Sequence, residues 1–482
     1  MHSSVPSVVR RPPAATARPT DAVRAAVRGA PPWVAPVLVS LPLLLILVTA
    51  APRLAAAPVL LGGYGCLVLS TSVALLLIAY CRYEDPAVCP PRRPPGDAAN
   101  PFPPLPPAPR VSFLLAVKDE RDGIEACVRS MAASDYPHLQ IIVVDDASTD
   151  GTRGVLRRLA AELPIQVLYL DRNVGKKHAL VRAAEHADGD VLAFTDSDCV
   201  LARDALSRCV TALVRHPELG AVSGHARALN ADASVLSRTQ DVWYEGQFRI
   251  TKAAEYVLGS VTCLSGPLAV FRRDAVYNYL PAWAQDRFLG GEFRFATDRQ
   301  LTGYVLGQFR VGDRLKRRHA DSPFVAATDY PARPWRTGYV ESAKVWTTVP
   351  ARLRPFLRQQ VRWKKSFIRN LFFTGGFMWR RGLGAAALFY GHVLLVLAAP
   401  LMAARHLLWA PANGLWLLTA LYLSGIALKG IVWGLAFRID NPGSPRWRYR
   451  PLMSLLSAAL LAWLLPYALV TIRRGVWSRS AA

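Results

Sequence analysis

The sequence predicts an α/β domain set between helical membrane spans, on three observations. Apolar runs of about 20 residues stand near both ends of the chain, long enough to cross a hydrocarbon core of about 30 Å. Between them, short apolar runs alternate with helical pattern at a spacing of roughly 25–30 residues, as in a parallel α/β sheet. Polar motifs follow those runs at their carboxyl ends, where open α/β sheets place their ligands.

The chain has 482 residues, a formal net charge of +24 and 52% hydrophobic residues. A chain of this length divides into more than one unit. Spans are expected near 33–50, 59–80, 384–404, 415–437 and 451–470. A leader over 1–32 carries Arg10, Arg11, Arg18, Arg24 and Arg28 against one acid, Asp21. By the positive-inside rule this keeps it in the cytosol, and the second span returns the chain there at Arg82. The leader is too long and basic for a signal peptide, so it reads as part of an anchor. The basic loop 438–450 is expected to be cytosolic, which puts Arg473 and Arg474 in the tail 471–482 on the other side, against the rule.

Seven cysteines without a Cys-x-x-Cys pair argue against a disulfide framework and a zinc site. The basic excess comes without any nucleic-acid-binding signature. It points to anionic membrane lipid and anionic sugar ligands, not to nucleic acid. No obligate protein partner is evident. The location this implies is the cell membrane, multi-pass, with the catalytic domain cytosolic.

A proline-dense linker fills 81–109. The α/β domain is expected over 110–310, with strands at 111–117, 139–144, 165–170 and 191–195. Amphipathic, aromatic and basic helices lying against the membrane are expected over 311–383, and about three spans over 384–470.

Asp196-Ser197-Asp198 follows the fourth strand. Alternate residues of extended chain point the same way, so both carboxylates can hold a divalent ion that grips a diphosphate. A solvated acidic turn is the plainer reading. Asp145-Asp146 ends the second strand, where a carboxylate can bond a base or ribose hydroxyl or simply belong to a capped helix start. Asp119, after the first strand, is read the same way. Lys176 and Lys177 follow Gly175 at a helix start suited to phosphate, or form a solvated pair. Asp298 is a candidate base that takes a proton from a sugar hydroxyl, or the acid of a structural Asp298–Arg299 pair. Gln359-Gln360-Val361-Arg362-Trp363 combines amides for hydroxyls, a guanidinium for phosphate and an indole for a sugar face; it can also anchor at an interface. Lys429 lies inside an expected span, lining a path for polymer or snorkelling to the surface.

Asn173-Val174-Gly175-Lys176-Lys177-His178-Ala179, Thr262-Cys263-Leu264-Ser265-Gly266-Pro267-Leu268 and the stretch from Arg358 to Phe367 carry a resemblance. From about 111 to 370 the chain resembles the processive family 2 glycosyltransferases, most closely the hyaluronan synthases, with the nodulation-type chitooligosaccharide synthases as near neighbour. The resemblance implies a GT-A (Rossmann-like) fold, UDP-sugar donors, Mg2+ or Mn2+, inversion at the anomeric carbon, and export of a growing polysaccharide acceptor through the spans. It implies that Asp119 and Asp146 read uridine, with Asp145 nearby, and that Asp196 and Asp198 hold nucleotide and metal. Ser265, Gly266 and Pro267 would line the acceptor site, Asp298 would be the base, and Arg362 and Trp363 would sit over donor diphosphate and acceptor. Three features depart from the pattern besides the linker: Thr297 replaces a carboxylate, 309–338 looks like extra sequence, and Lys118 stands where an aromatic is common.

The expected function is therefore a membrane-embedded polysaccharide synthase of hyaluronan type, using UDP-glucuronate and UDP-N-acetylglucosamine. The runner-up is a chitin or chitooligosaccharide synthase using UDP-N-acetylglucosamine alone. A lipid-linked single-sugar transferase would not need the Gln-Gln-x-Arg-Trp group, and a silent scaffold would not need the intact Asp196, Asp198, Asp298 and Arg362.

Overall fold

A computed structural model describes residues 59–89, 102–294 and 297–473. The expected leader and the span at 33–50 lie outside the described residues, as do 90–101 of the linker and the tail beyond Arg473.

Helix α1 (Val59–Cys81) leads into the segment that meets the domain. The domain is built on strands β1 (Val111–Val117), β2 (Leu139–Asp145), β3 (Ile165–Tyr169) and β4 (Val191–Phe194), followed by β5 (Cys199–Leu201), β6 (Leu219–Ala228), β7 (Ala269–Arg272) and β8 (Arg336–Thr347). They form one sheet in the order β3-β2-β1-β4-β7-β6-β8-β5. The four expected strands are present and parallel, with β1 flanked by β2 and β4. All seven residues of β1 are buried, as apolar runs covered by helices on both faces should be.

The sheet is mixed, not parallel throughout. β7 runs antiparallel to both β4 and β6, and β5 antiparallel to β8. β7 and β5 are too short to stand out as apolar runs, while β6 and β8 are interrupted by polar residues: Ser223, His225 and Arg227 in β6, Lys344 in β8. His225 and Arg227 are satisfied by tertiary partners, which periodicity does not reveal.

Between the strands stand α2 (Ile124–Ala132), α3 (Thr152–Glu162), α4 (Lys176–Glu185), α5 (Ala205–Arg215) and α6 (Val235–Glu245). A π-helical stretch, Gly246–Lys252, continues α6. Next come α7 (Thr297–Arg318) and α8 (Leu353–Phe373). The segment 309–338, which reads as an insertion, is the second half of α7, a short turn of helix at Pro323–Ala326 and the start of β8. The expectation of helices alone across 311–383 is corrected: β8 lies inside the main sheet.

The register of β8 against β6 breaks between Tyr339 and Lys344. Two amides freed by this bulge are taken from outside the sheet: Glu341 N–H donates to Tyr83 Oη (3.1 Å) and Ser342 N–H to Asp85 Oδ2 (2.7 Å). The chain leaving α1 is thereby fastened to the sheet.

Helices α9 (Leu383–Ala404), α10 (Trp416–Asp440), α11 (Arg450–Ala459) and α12 (Leu464–Val470) complete the fold. Among the described residues three helical stretches are long and apolar enough to cross a membrane: Gly63–Cys81, Leu383–Ala412 and Trp416–Asp440. The span expected at 451–470 is instead a pair, Pro445–Ala459 and Leu461–Val470, bent by 41°. Pro466 explains the restart, since a residue without an N–H fits the first turn of a helix but not its interior. Two glycines let α10 lie close to this pair. A Cβ on Gly430 would fall 2.5 Å from Pro451 Cα, and one on Gly434 2.7 Å from the Trp447 carbonyl.

Candidate active site

The loops that follow β1, β2 and β4 are tied together by their own polar groups. Asp119 adopts a left-handed backbone (φ 50°), and its carboxylate accepts from Thr149 N–H at 2.8 Å and faces Lys118 at 3.1 Å. Burial alone would raise its pKa, but the Thr149 amide and the Lys118 ammonium outweigh that and hold it low. Lys118 also donates to the Ala147 carbonyl at 2.8 Å. The lysine that stands where an aromatic was expected thus joins the first two loops.

Asp145 is fully buried and accepts from Ser148 N–H (3.2 Å) and Arg153 Nε (2.9 Å). Asp146 accepts from Val174 N–H (2.7 Å) and Gly175 N–H (2.9 Å), one to each carboxylate oxygen. Burial pushes the Asp146 carboxyl up despite these two amides. In this conformation both residues brace loops, and Asp119 is the more open of the three.

Holding 173–175 in this way aims the start of α4. Lys176 pairs directly with Asp196. Its neighbour Lys177 turns inward, donating to the Phe293 carbonyl (2.7 Å) and Gln300 Oε1 (2.5 Å). Burial lowers the Lys177 ammonium to about 8. The two lysines therefore part company: one faces the crevice and the other belongs to the core.

Asp196, Asp198 and Cys199 bring one ligand atom each to within 4.8 Å of one another. Cys199 is buried and its thiol is held well above the usual range by that burial, so the two carboxylates are the hard oxygen donors. Thr347 Oγ1 donates to Asp198 at 3.4 Å. The Lys176 ammonium already rests on Asp196, a cation where a divalent ion would be gripped. The donor set therefore fits Mg2+ or Mn2+.

Gly266 is pressed against this pair. A Cβ there would stand 2.5 Å from Asp196 Oδ2, and Thr195 Oγ1 donates to the Pro267 carbonyl at 2.7 Å. The other end of the same loop meets α7. Cys263 Sγ lies 3.5 Å from Asp298 Oδ2, and Leu264 N–H donates to Thr302 Oγ1 (2.9 Å), which in turn donates to the Asp298 carbonyl (2.8 Å). Asp298 Oδ1 accepts from Arg299 N–H at 2.8 Å in the first turn of the helix. One short loop, 263–267, thus touches the metal-type carboxylates and the candidate base.

On α8, Gln360 is buried, and among the described residues Gln359 Oε1 and Gln360 Nε2 have no hydrogen-bond partner. Trp363 remains 39% exposed, its ring 5.7 Å from Trp243 and 6.3 Å from Tyr244. Burial raises the Tyr244 phenol, with Asp198, Cys199 and Asp196 adding to the shift and Arg362 opposing it. Tyr244 therefore sits between the carboxylates and the Gln-Gln-x-Arg-Trp group. Sequence reading missed the Trp243–Tyr244 platform; the adjacent aromatics were visible, but not which loop they would face. Lys429, on α10, lies 6.0 Å from the Trp433 ring centre.

Residues 112–280 match the profile of Glycosyl transferase family 2, and the fold is GT-A-like. The chain carries a family 2 glycosyltransferase domain. It is 33% identical over 270 residues to an N-acetylglucosaminyltransferase of Azorhizobium caulinodans, covering 55% of this chain and 62% of that protein. A second N-acetylglucosaminyltransferase, from Rhizobium meliloti, is 33% identical over 305 residues, covering 62% of this chain and 65% of that one. The match thus spans a little under two thirds of either relative. A hyaluronan synthase of Streptococcus pyogenes is 26% identical over 373 residues, 76% of this chain and 82% of that protein. In fold, the chain is similar to a mannosyltransferase of Pyrobaculum calidifontis solved with GDP-Man and Mn2+, with a TM-score of 0.54 and 21% identity over 86% of this chain and 96% of that one.

Proposed function

We propose that the protein is a membrane-embedded, processive, inverting glycosyltransferase that polymerises N-acetylglucosamine from UDP-N-acetylglucosamine, in the manner of a chitooligosaccharide synthase. The observation that carries the reading is the loop 263–267, which meets Asp196 through Gly266 and Asp298 through Cys263, so that an acceptor lying on this loop would reach both. The two N-acetylglucosaminyltransferases at 33% identity support the choice of sugar over the hyaluronan reading expected from the sequence.

In this reading Asp298 accepts the proton of the acceptor hydroxyl as it attacks the anomeric carbon. Asp119 and the loops braced by Asp145 and Asp146 bind the uridine. Lys176 and Arg362 bind the diphosphate, and Lys176 leaves Asp196 as they do so. Asp196 and Asp198 hold Mg2+ or Mn2+, which when bound supplies charge neutralisation for the departing nucleotide diphosphate. Gln359 and Gln360, with buried amide atoms that lack partners among the described residues, bond acceptor hydroxyls. Trp363, backed by Trp243, offers a sugar face on which the chain rests. Ser265, Gly266 and Pro267 line the acceptor side, and polymer leaves through the helices that flank the domain.

A second reading, the hyaluronan type, is favoured by one observation: the 26% match covers 82% of the streptococcal protein. Sugar incorporation by purified protein in lipid with Mn2+ separates the two. Polymer from UDP-N-acetylglucosamine alone is the expected result. Polymer only when UDP-glucuronate is also present would establish the second reading, and transfer of a single sugar would sink both.

A further inference from the structure

A cavity of about 300 Å3 lies apart from the crevice, lined by Gly259, Phe309, Pro334, Arg336, Arg380 and Arg381. Three guanidiniums and no carboxylate form its wall. Among the described residues none of the three makes an ion pair; their partners are neutral. Arg381 donates to the Trp335 carbonyl at 2.7 Å and to Ser260 Oγ at 3.3 Å. Arg336 donates to the carbonyls of Gly259 (3.5 Å) and Tyr256 (3.4 Å). The acid whose charge reaches Arg336 is Glu218, itself 3.8 Å from His216. Burial, together with Arg336, draws the Arg381 guanidinium down to about 10. The Arg336 and Arg381 forks are fixed in place by these bonds, and the repulsion among the three cations has no counter-charge in the wall.

The position of this cavity narrows what it takes. Arg381 stands two residues ahead of Leu383, where the 30-residue apolar stretch begins. Leu383 is 91% and Trp379 55% exposed, and the guanidiniums of Arg380 and Arg310 lie 4.4 and 5.9 Å from the Trp379 ring centre. Exposed Trp and Arg at the start of an apolar helix mark a membrane–water boundary. Guanidinium forks match phosphate oxygens in pairs.

We propose that this cavity binds a phosphate-bearing anion, and that its occupant is the headgroup of an anionic phospholipid whose acyl chains lie along Leu383 and Trp379. The inference is independent of how the crevice is read, since it uses none of its residues. A free phosphate shares the headgroup's chemistry but has no use for the apolar rim.

The test is lipid retention and thermal unfolding of the purified full-length protein in a neutral detergent, with phosphatidylglycerol, phosphatidylcholine or inorganic phosphate added. Phosphatidylglycerol should be retained and raise the unfolding temperature, while phosphatidylcholine and inorganic phosphate should not. Arg380→Gln should weaken phosphatidylglycerol binding about fivefold, the usual effect of one basic residue near an anionic lipid surface, and Arg380→Lys should largely preserve it. Arg380 is exposed and holds no backbone carbonyl among the described residues, so this variant tests the site without risking the fold; Arg336→Gln, a riskier change, should add to it. Arg317→Gln, an exposed charge elsewhere, should change nothing. Equal binding by Arg380→Gln, Arg336→Gln and the Arg317→Gln control would overturn the site. Stabilisation by inorganic phosphate as large as that by the lipid would overturn the lipid assignment.

Discussion

Asp298 and Gly266 are the two positions where a change of a few atoms separates catalysis from folding. Asp298→Asn keeps the shape and the Arg299 amide bond but cannot take a proton. Sugar transfer should fall by roughly 10²- to 10⁴-fold, the usual contribution of a positioned base, while UDP binding by calorimetry stays unchanged. Loss of both would assign Asp298 to structure. Gly266→Ala places a methyl 2.5 Å from Asp196 Oδ2, so either the loop or the carboxylate must move, at about 1–3 kcal/mol. The expected outcome is a higher Mn2+ requirement for sugar transfer, with the unfolding temperature lowered by only a few degrees. An unchanged metal titration would mean that Asp196 is not a ligand. Both residues were legible only through the family resemblance: by position alone Asp298 reads equally as half of an Asp298–Arg299 pair, and Gly266 as part of an ordinary turn. The sequence did not supply the contact between Gly266 and Asp196, nor the turning of Asp146 toward Val174 and Gly175, since both depend on how separate loops meet.

Between elements, the tie of widest reach is buried and joins β6, β8 and α6. His225 Nδ1 accepts from the Tyr339 hydroxyl at 2.5 Å, and its Nε2–H donates to Glu245 at 3.1 Å. Burial, aided by the charge of Lys344, holds the imidazole below its ordinary 6.5 although Glu245 pulls the other way. The folded ring therefore stays neutral while an unfolded chain's histidine protonates. Below about pH 6.5 the unfolded state binds more protons, so stability falls as pH falls, by at most about 1.4 kcal/mol per pH unit for one group. Unfolding temperatures between pH 7.5 and 5.5 should drop in the native protein and drop less steeply in His225→Gln, from a lower starting value. Parallel slopes would show that other groups carry the acid sensitivity. This network explains why half of the sheet was illegible. β1 to β4 announce themselves as uniform apolar runs because helices cover both faces. β6 and β8 bury His225, Lys344 and Arg227 against partners more than ten residues away, and such strands look like loops until the partners are known.

At the scale of the whole molecule, the question is what holds the domain to the helices that flank it, and Arg249 stands at that junction. Its guanidinium lies 3.4 Å from Glu341 in the β8 bulge and 3.5 Å from Asp440 at the end of α10. It also donates to the Ala79 carbonyl of α1 at 3.1 Å and lies 4.3 Å from the Tyr80 ring centre. Tyr80 in turn donates to Asp440 at 2.5 Å. One buried cation thus reaches α1, the sheet and α10, and the Gly246–Lys252 π turn is what presents it. Removing it takes away the cation that Glu341 and Asp440 share, and a buried pair that loses one partner costs about 3–5 kcal/mol. Arg249→Met should therefore lower the unfolding temperature and speed proteolysis within 82–110, where the chain passes from α1 to β1. Adding Asp440→Asn removes one of the two carboxylates that faced Arg249 and should restore part of the loss, whereas a merely spatial role for Arg249 would make the two changes additive. If Arg249→Met unfolds like the native protein, the junction is held by the Tyr83 and Asp85 bonds to the β8 bulge, and Arg249 is a passenger.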